Sequence, residues 1–126
     1  MKKIVLLIFC TTLLNNCAQY NMFCNHEGGV IDDIIVYKKN QNSFFIIVNA
    51  SNIDKDYKWM IENNDFDVEI ENCSEKTSIL AIQGPNSRNI ILESLDINLD
   101  NLKFYTFSNY NLFNEDIIIS RTGYTG

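Results

Sequence analysis

Two glycines followed by two aspartates and an apolar run constrain this chain more than any other feature. Gly28 and Gly29 permit a tight turn with positive φ, and residues 34–37 have the β-branched and aromatic side chains of a buried strand. Because side chains alternate along a strand, Asp32 and Asp33 are expected to point to opposite faces. A carboxylate held partly out of water must be paired or have a raised pKa, so the pattern suits proton transfer.

A simpler structural role is open for the same two carboxylates. An aspartate after a Gly-Gly turn commonly caps a hairpin by accepting hydrogen bonds from nearby backbone N–H groups. Residue types alone favour this role over proton transfer. The choice between the two therefore depends on the rest of the chain.

Length and charge limit the possible classes of protein. A chain of 126 residues can bury one modest core, and 46% hydrophobic with 21% charged residues is ordinary for a globular domain. The net charge of -6 argues against nucleic acid as the main partner, because no basic stripe is present to neutralise phosphates. The cysteines form no Cys-x-x-Cys pair, and His26 is the only histidine, so we expect no metal site and reduced thiols.

The first 17 residues differ in character from the remainder. Two lysines and an apolar run over 4–14 resemble a secretory signal, and Cys17 suggests a lipoprotein site, although two asparagines fit poorly before it. The run is too short to predict a membrane span. A buried strand or short helix is a second interpretation, and a lost upstream reading frame is a third, which we favour. We therefore predict a division into residues 1–17 and a domain over 18–126.

After this segment, a polar turn at 38–43 joins the strands predicted at 34–37 and 44–48 as a hairpin, which puts Asp33 and Asn49 at neighbouring ends of paired strands. The expected fold is α+β, with an antiparallel sheet and helices packed on it. Ser51 or Asn52 can cap the first helix, where Asp54 and Asp56 complement the dipole. The expected helices are 52–62 and 86–95, and the expected strands are 34–37, 44–48, 66–70, 77–82, 103–107 and 116–120.

Two further residues could contact a ligand. Asn49 ends a predicted strand, where its amide can donate and accept hydrogen bonds, although a turn role is the more frequent one. Tyr105 could stack on an aromatic ligand, although most of the six tyrosines and eight phenylalanines are expected in the core. Gly84 could help to hold an anion, but a plain strand-to-helix turn is favoured there.

Six motifs in one order and with compatible spacing decide the interpretation: AQY at 18–20, MFCN at 22–25, GGVIDD at 28–33, VNASN at 48–52 with KD at 55–56, IQGP at 82–85 and SRTGYTG at 120–126. Together they resemble the aminomethyltransferase of the glycine cleavage system, the tetrahydrofolate-dependent T-protein family. The resemblance covers residues 18–126. It implies part of the folate-binding T-protein fold, of which this chain would be a truncated central fragment.

The resemblance also implies a reaction. T-proteins take the aminomethyl group from the lipoyl arm of the H-protein, release ammonia and form 5,10-methylenetetrahydrofolate. Loss of ammonia leaves a cationic one-carbon unit, which a nearby carboxylate can stabilise. The expected cofactor is therefore tetrahydrofolate, the expected partner is the lipoylated H-protein, and the expected location is cytoplasmic, or the mitochondrial matrix in a eukaryote.

Site residues follow from the same resemblance. Asp33 is predicted to be the catalytic carboxylate, because it is the second acid of its motif and directly precedes the apolar strand. Asp32 is the nearest competitor for this role, although a solvated turn residue is the favoured interpretation of it. The residues predicted to contact the folate are Tyr20, Asn49, Tyr105 and Tyr124.

Two other classes of protein are weighed against an active transferase. One is a folate-binding relative without transfer chemistry, such as the iron-sulfur-assembly folate proteins; their Lys-Gly-Cys-Tyr motif does not occur in this sequence. The other is an inactive truncated gene product, since the family's folate-site glutamate is expected beyond residue 126. We expect little or no transferase activity from this chain alone.

Overall fold

A computed structural model describes residues 16–123 of the chain. Neighbouring strands are antiparallel and form one sheet in the order β3-β2-β1-β4-β5. The strands are β1 (Cys17–Cys24), β2 (Val30–Lys38), β3 (Phe44–Ile47), β4 (Thr106–Leu112) and β5 (Glu115–Arg121), and the helices are α1 (Ile53–Glu62) and α2 (Ser87–Leu95). This architecture confirms the predicted α+β class.

Several sequence predictions agree with these bounds to within a few residues. They are the two helices, the hairpin of β2 and β3, and β5. The predictions made for 1–15 lie outside the described residues, as does the predicted contact Tyr124. Among the residues that are described, no helix is both long and apolar enough to cross a membrane.

The sheet consists of two parts joined at one point. Strands β1 and β2 pair along their whole length, whereas β1 meets β4 through the single pair Cys17 and Thr106. A backbone hydrogen bond of 2.9 Å from the Ala18 N–H to the Tyr105 carbonyl lies beside that pair. The first part is therefore β1, β2 and β3, and the second is the hairpin of β4 and β5.

The first part of the sheet has two different faces, because side chains of paired residues point the same way. Tyr20, Ile35 and Ile47 lie side by side on one of them, here called the cavity face. Phe23 lies on the other, here called the helix face, and its ring is 4.9 Å from that of Trp59 in α1. Helix α1 therefore covers the helix face.

Two apolar clusters form the core. In the first, Ile91 of α2 packs with three residues of the following loop against β4 and β5. In the second, Ala18, Tyr37 and Phe107 bring β1, β2 and β4 together. The loop residues of the first cluster are Ile97, Leu99 and Leu102.

The strands predicted at 66–70 and 77–82 are wrong. Between α1 and α2 the structure contains only a 3-10 turn at Ser74–Lys76 and irregular chain. Phe66 is 65% exposed and Leu80 is 88% exposed. A strand needs a neighbour to pair its backbone and cover its apolar face, and none of the described strands pairs with these segments.

The strand predicted at 103–107 begins at Thr106 instead. Tyr105 adopts a left-handed conformation with φ 55°, which ends any continuous strand at that residue. Its N–H donates to the Arg121 carbonyl at 2.8 Å, and its carbonyl accepts from Ala18. Strand β1 was not predicted, since its alanine and its single asparagine have low strand propensity.

Candidate functional site

Four of the five predicted site residues line one cavity of about 460 Å³ on the cavity face. The wall formed by β1, β2 and the end of β3 contributes Tyr20, Asp33 and Asn49. Tyr105 contributes from the turn before β4. Strand β5 leads into two lining residues that the sequence did not single out, Thr122 and Gly123. Both parts of the sheet therefore contribute to this cavity.

Asp33 is exposed in this cavity and has two side-chain donors. The Tyr20 hydroxyl donates to Oδ2 at 3.0 Å, and Asn49 Nδ2 donates to Oδ1 at 2.9 Å. Asn49 reaches this position because the pairing of Ile35 with Ile47 brings residues 33 and 49 opposite each other. The hydrogen bond to Asp33 raises the pKa of Tyr20, since only the neutral phenol can donate it.

Asp32 is not the solvated turn residue that the sequence predicted. It lies inside β2 on the helix face and is only 7% exposed. Asn49 Nδ2 donates to its Oδ1 at 2.9 Å, and Asn52 Nδ2 donates to its Oδ2 at 3.1 Å. A hydrogen bond shared with Asp56, followed by these two amides, holds the pKa of Asp32 well below its usual range despite burial. The prediction failed because α1 folds back over this face.

Asp56 is a buried acid that the sequence analysis missed. It was predicted to complement the dipole of α1, yet the structure leaves it 0% exposed beneath the helix, facing Asp32. Burial, and then the Asp32 carboxyl, raise the pKa of Asp56 to about 6, and Lys55 opposes the shift from 3.7 Å. Helical spacing could have indicated this burial, because Asp56 shares one side of α1 with the apolar residues Ile53 and Met60.

Asn49 connects the two carboxylates. Its Nδ2 lies within hydrogen-bond distance of Asp32 Oδ1, Asp33 Oδ1 and, at 3.3 Å, the Asp33 carbonyl. Asn52 precedes α1 but makes no side-chain capping bond, because its amide is directed to Asp32. Lys55 Nζ donates to the Ile31 carbonyl at 2.9 Å and ties α1 to β2. The start of α1 is therefore fixed to the strand that carries the aspartates.

The glycine turn before β2 is held by a different side chain. Gly28 has φ +84°, and Asn25 Oδ1 accepts hydrogen bonds from the N–H groups of Glu27 and Gly29 at 3.0 and 2.7 Å. A Cβ on Gly29 would lie 2.9 Å from Asn25 Nδ2. Asn25, rather than Asp32 or Asp33, therefore holds this turn.

A second cavity of about 320 Å³ has different chemistry. It lies between β5 and the segment 78–82, and its lining contains no acid, amide or cation. Within residues 16–123, no group of three His, Cys, Asp or Glu side chains is arranged to hold a metal ion. The cavity around Asp33 combines a carboxylate, an amide, two phenols and aliphatic walls, a set that suits a polar heterocycle with N–H donors. The fold and site thus define a small α+β domain with an open acidic cavity.

Comparison with known proteins identifies the family. Residues 6–126 match the family described as GCVT N-terminal domain. The matched range begins within the N-terminal segment 1–17. Three curated relatives are each named aminomethyltransferase, from Staphylococcus epidermidis (45% identity over 116 residues, 90% of this chain), Caldanaerobacter subterraneus (47% over 116, 90%) and Thermotoga neapolitana (40% over 110, 86%). The chain belongs to the aminomethyltransferase, or T-protein, family of the glycine cleavage system. It covers 32%, 31% and 30% of the length of these relatives.

Proposed function

We propose that this chain supplies part of the folate site of a tetrahydrofolate-dependent aminomethyltransferase, with Asp33 as its catalytic carboxylate. The observation that carries the proposal is the hydrogen-bonded group of Asp33, Asn49 and Tyr20 in an open cavity. The proposed reaction takes the aminomethyl group of the lipoylated H-protein and yields 5,10-methylenetetrahydrofolate, ammonia and the reduced lipoyl arm. The proposed location is cytoplasmic, or the mitochondrial matrix in a eukaryote.

The described residues fit tetrahydrofolate chemically. The cavity volume of about 460 Å³ lies within the range of about 300–1,000 Å³ that is usual for small-molecule sites. Ile35, Ile47 and Tyr105 give a largely apolar surface for a flat ring, and the Asp33 carboxylate can accept hydrogen bonds from ring N–H groups. Tyr124 is proposed to join this set through the family motif that contains it.

In the proposed mechanism, tetrahydrofolate supplies the nitrogen that accepts the one-carbon unit. Asp33 offsets the positive charge that develops as ammonia leaves, and it can take up a proton at a carboxylate oxygen. Asn49 and Tyr20 each donate to a different oxygen of Asp33, so the carboxylate keeps a fixed orientation. The exposure of Asp33 leaves it accessible to a lipoyl arm.

Calorimetric titration with tetrahydrofolate tests this proposal. We expect the 126-residue chain to bind it, and Asp33→Asn to bind about tenfold more weakly or worse, because a charge-assisted hydrogen bond is lost. Asp67→Asn is the control, since it removes another exposed carboxylate, in the segment between the helices. Equal affinities for the two variants would refute the role of Asp33.

A second measurement addresses transfer itself. We propose that this chain alone has little or no activity, because it covers only 32% of the length of a relative. Incubation with aminomethylated H-protein and tetrahydrofolate, followed by an ammonia assay, is expected to show no turnover above background. Multiple turnovers would contradict the proposed inactivity of the chain.

A further inference from the structure

Asp56 is a fully buried acid that the proposed reaction does not use. Its carboxyl faces that of Asp32, and neither of its oxygens receives a hydrogen bond from a donor among the described residues. The nearest cation, Lys55 Nζ, is 3.7 Å from Oδ1, beyond a normal hydrogen bond. Ionised carboxylates only accept hydrogen bonds and repel each other, so a proton between the two facing carboxyls is favoured.

A continuous chain of contacts links this buried pair to the cavity. Asp32 Oδ1 accepts from Asn49 Nδ2 at 2.9 Å, and the same nitrogen donates to Asp33 Oδ1 at 2.9 Å. Asp33 Oδ2 in turn accepts from the Tyr20 hydroxyl at 3.0 Å. Because one amide serves both carboxylates, a movement of Asp32 changes the hydrogen bond at Asp33.

We infer that Asp56 is a positioning residue for the cavity: the proton that it shares with Asp32 fixes the Asn49 amide in the orientation that donates to Asp33. The inference deepens the proposed function, on which it rests for the role of Asp33 toward folate. The hydrogen-bond chain itself can be measured without any ligand. A measurement without ligand therefore tests the positioning role of Asp56 separately from the proposed function.

The positioning depends on pH because the shared proton can be lost to solvent. The titratable or charged groups that act on Asp56 are Asp32 of β2 and Lys55 of α1, while Phe23 and Trp59 at the same interface carry none. Since burial raises the pKa of Asp56 to about 6, the proton is lost near that pH. The two carboxylates then repel each other, and the amide of Asn49 is released from one of its acceptors.

Nuclear magnetic resonance of the unliganded chain tests the inference directly. We expect the side-chain amide signals of Asn49 to shift between pH 4.5 and 7.5 with a midpoint near the pKa of about 6 given above for Asp56. Asp54→Asn is the matched control, because it removes an exposed acid from the same turn of α1 and should leave this titration unchanged. Asn49 signals that do not respond over this range would overturn the inference.

Two substitutions separate positioning from simple stability. Asp56→Asn can donate to Asp32 at every pH, so the Asn49 signals should stay at their acidic positions throughout the titration. Asp56→Leu cannot donate, so the Asn49 signals should leave those positions at pH 5. If Asp56→Leu does not fold, the unsubstituted chain and Asp56→Asn still decide. Unchanged Asn49 signals at pH 5 in a folded Asp56→Leu would contradict the role.

Folate affinity provides the link to function. Asp56→Leu is expected to bind tetrahydrofolate about tenfold more weakly than Asp54→Asn at pH 5, because Asp33 is less well oriented. Equal affinities would show that the network does not act on the ligand. Failure of the unsubstituted chain to bind would remove the proposed function, while the Asn49 titration would still decide the positioning.

Discussion

Asp32 and Asp33 are adjacent in β2 and chemically identical, yet the two faces of the strand give them opposite properties. On the helix face Asp32 is buried against α1 and held by two amides and a second carboxyl. On the cavity face Asp33 is exposed, and its side-chain donors are Tyr20 and Asn49. The difference shows that the covering element, rather than the residue type, decides which carboxylate is structural and which is accessible.

The largest expected contrast is in thermal stability. Asp32→Ala removes the acceptor of two amide donors and the partner of Asp56, so the Tm should fall by roughly 10 °C. Asp33→Ala should change the Tm by less than about 2 °C, because exposed polar substitutions have small effects. Thermal unfolding followed by circular dichroism measures both. A similar fall of the Tm in the two variants would contradict the proposed difference between the two faces.

An intermediate effect is expected for the residue that serves both faces. Asn49→Ala removes donors from Asp32 and Asp33 together, so the Tm should fall by roughly 5 °C and tetrahydrofolate binding should weaken in the same variant. Asn63→Ala is a suitable control, since the Asn63 amide donates to the Trp59 carbonyl at 2.8 Å, away from the cavity. Loss of stability without loss of folate affinity would show that Asn49 stabilises the helix face and does not contribute to folate binding.

The smallest expected effect is a pH dependence of stability. Asp56 holds its proton more tightly when folded, with a pKa of about 6 against an ordinary 3.8. Its contribution is therefore complete below about pH 4 and is lost as the pH rises through 6. The lowered pKa of Asp32 acts oppositely, with a contribution that is present above about pH 4 and lost in acid. Relative to Asp56→Asn, the Tm of the unsubstituted chain should fall by roughly 3–5 °C between pH 4.5 and 7.5.

The sequence was sufficient for features that depend on local pattern. Alternation predicted that the aspartates separate onto two faces, and the hairpin spacing predicted that Asp33 and Asn49 meet, as the pairing of Ile35 with Ile47 confirms. The bounds of α1 followed from its apolar spacing. Both results depend only on residues close in the chain.

Features that depend on distant partners were not predictable in the same way. The burial of Asp32 and Asp56 requires α1 to return over β2, which no local pattern specifies. The apolar segment at 77–82 has the composition of a strand, but in the described chain it lacks the neighbour that would make it one. Tyr105 and the lining residue Thr122 reach the cavity through the pairing of β4 with β5.

The single residue pair between β1 and β4 has a mechanical consequence. Tyr20 and Asp33 stand on one side of that junction, while Tyr105 and Thr122 stand on the other. Besides that pair, the two parts are held together by two backbone hydrogen bonds, by the second apolar cluster and by the hydrogen bond of 3.0 Å between the Tyr37 hydroxyl and Ser120 Oγ. The separation of the two phenols across the cavity therefore depends on this small set of contacts.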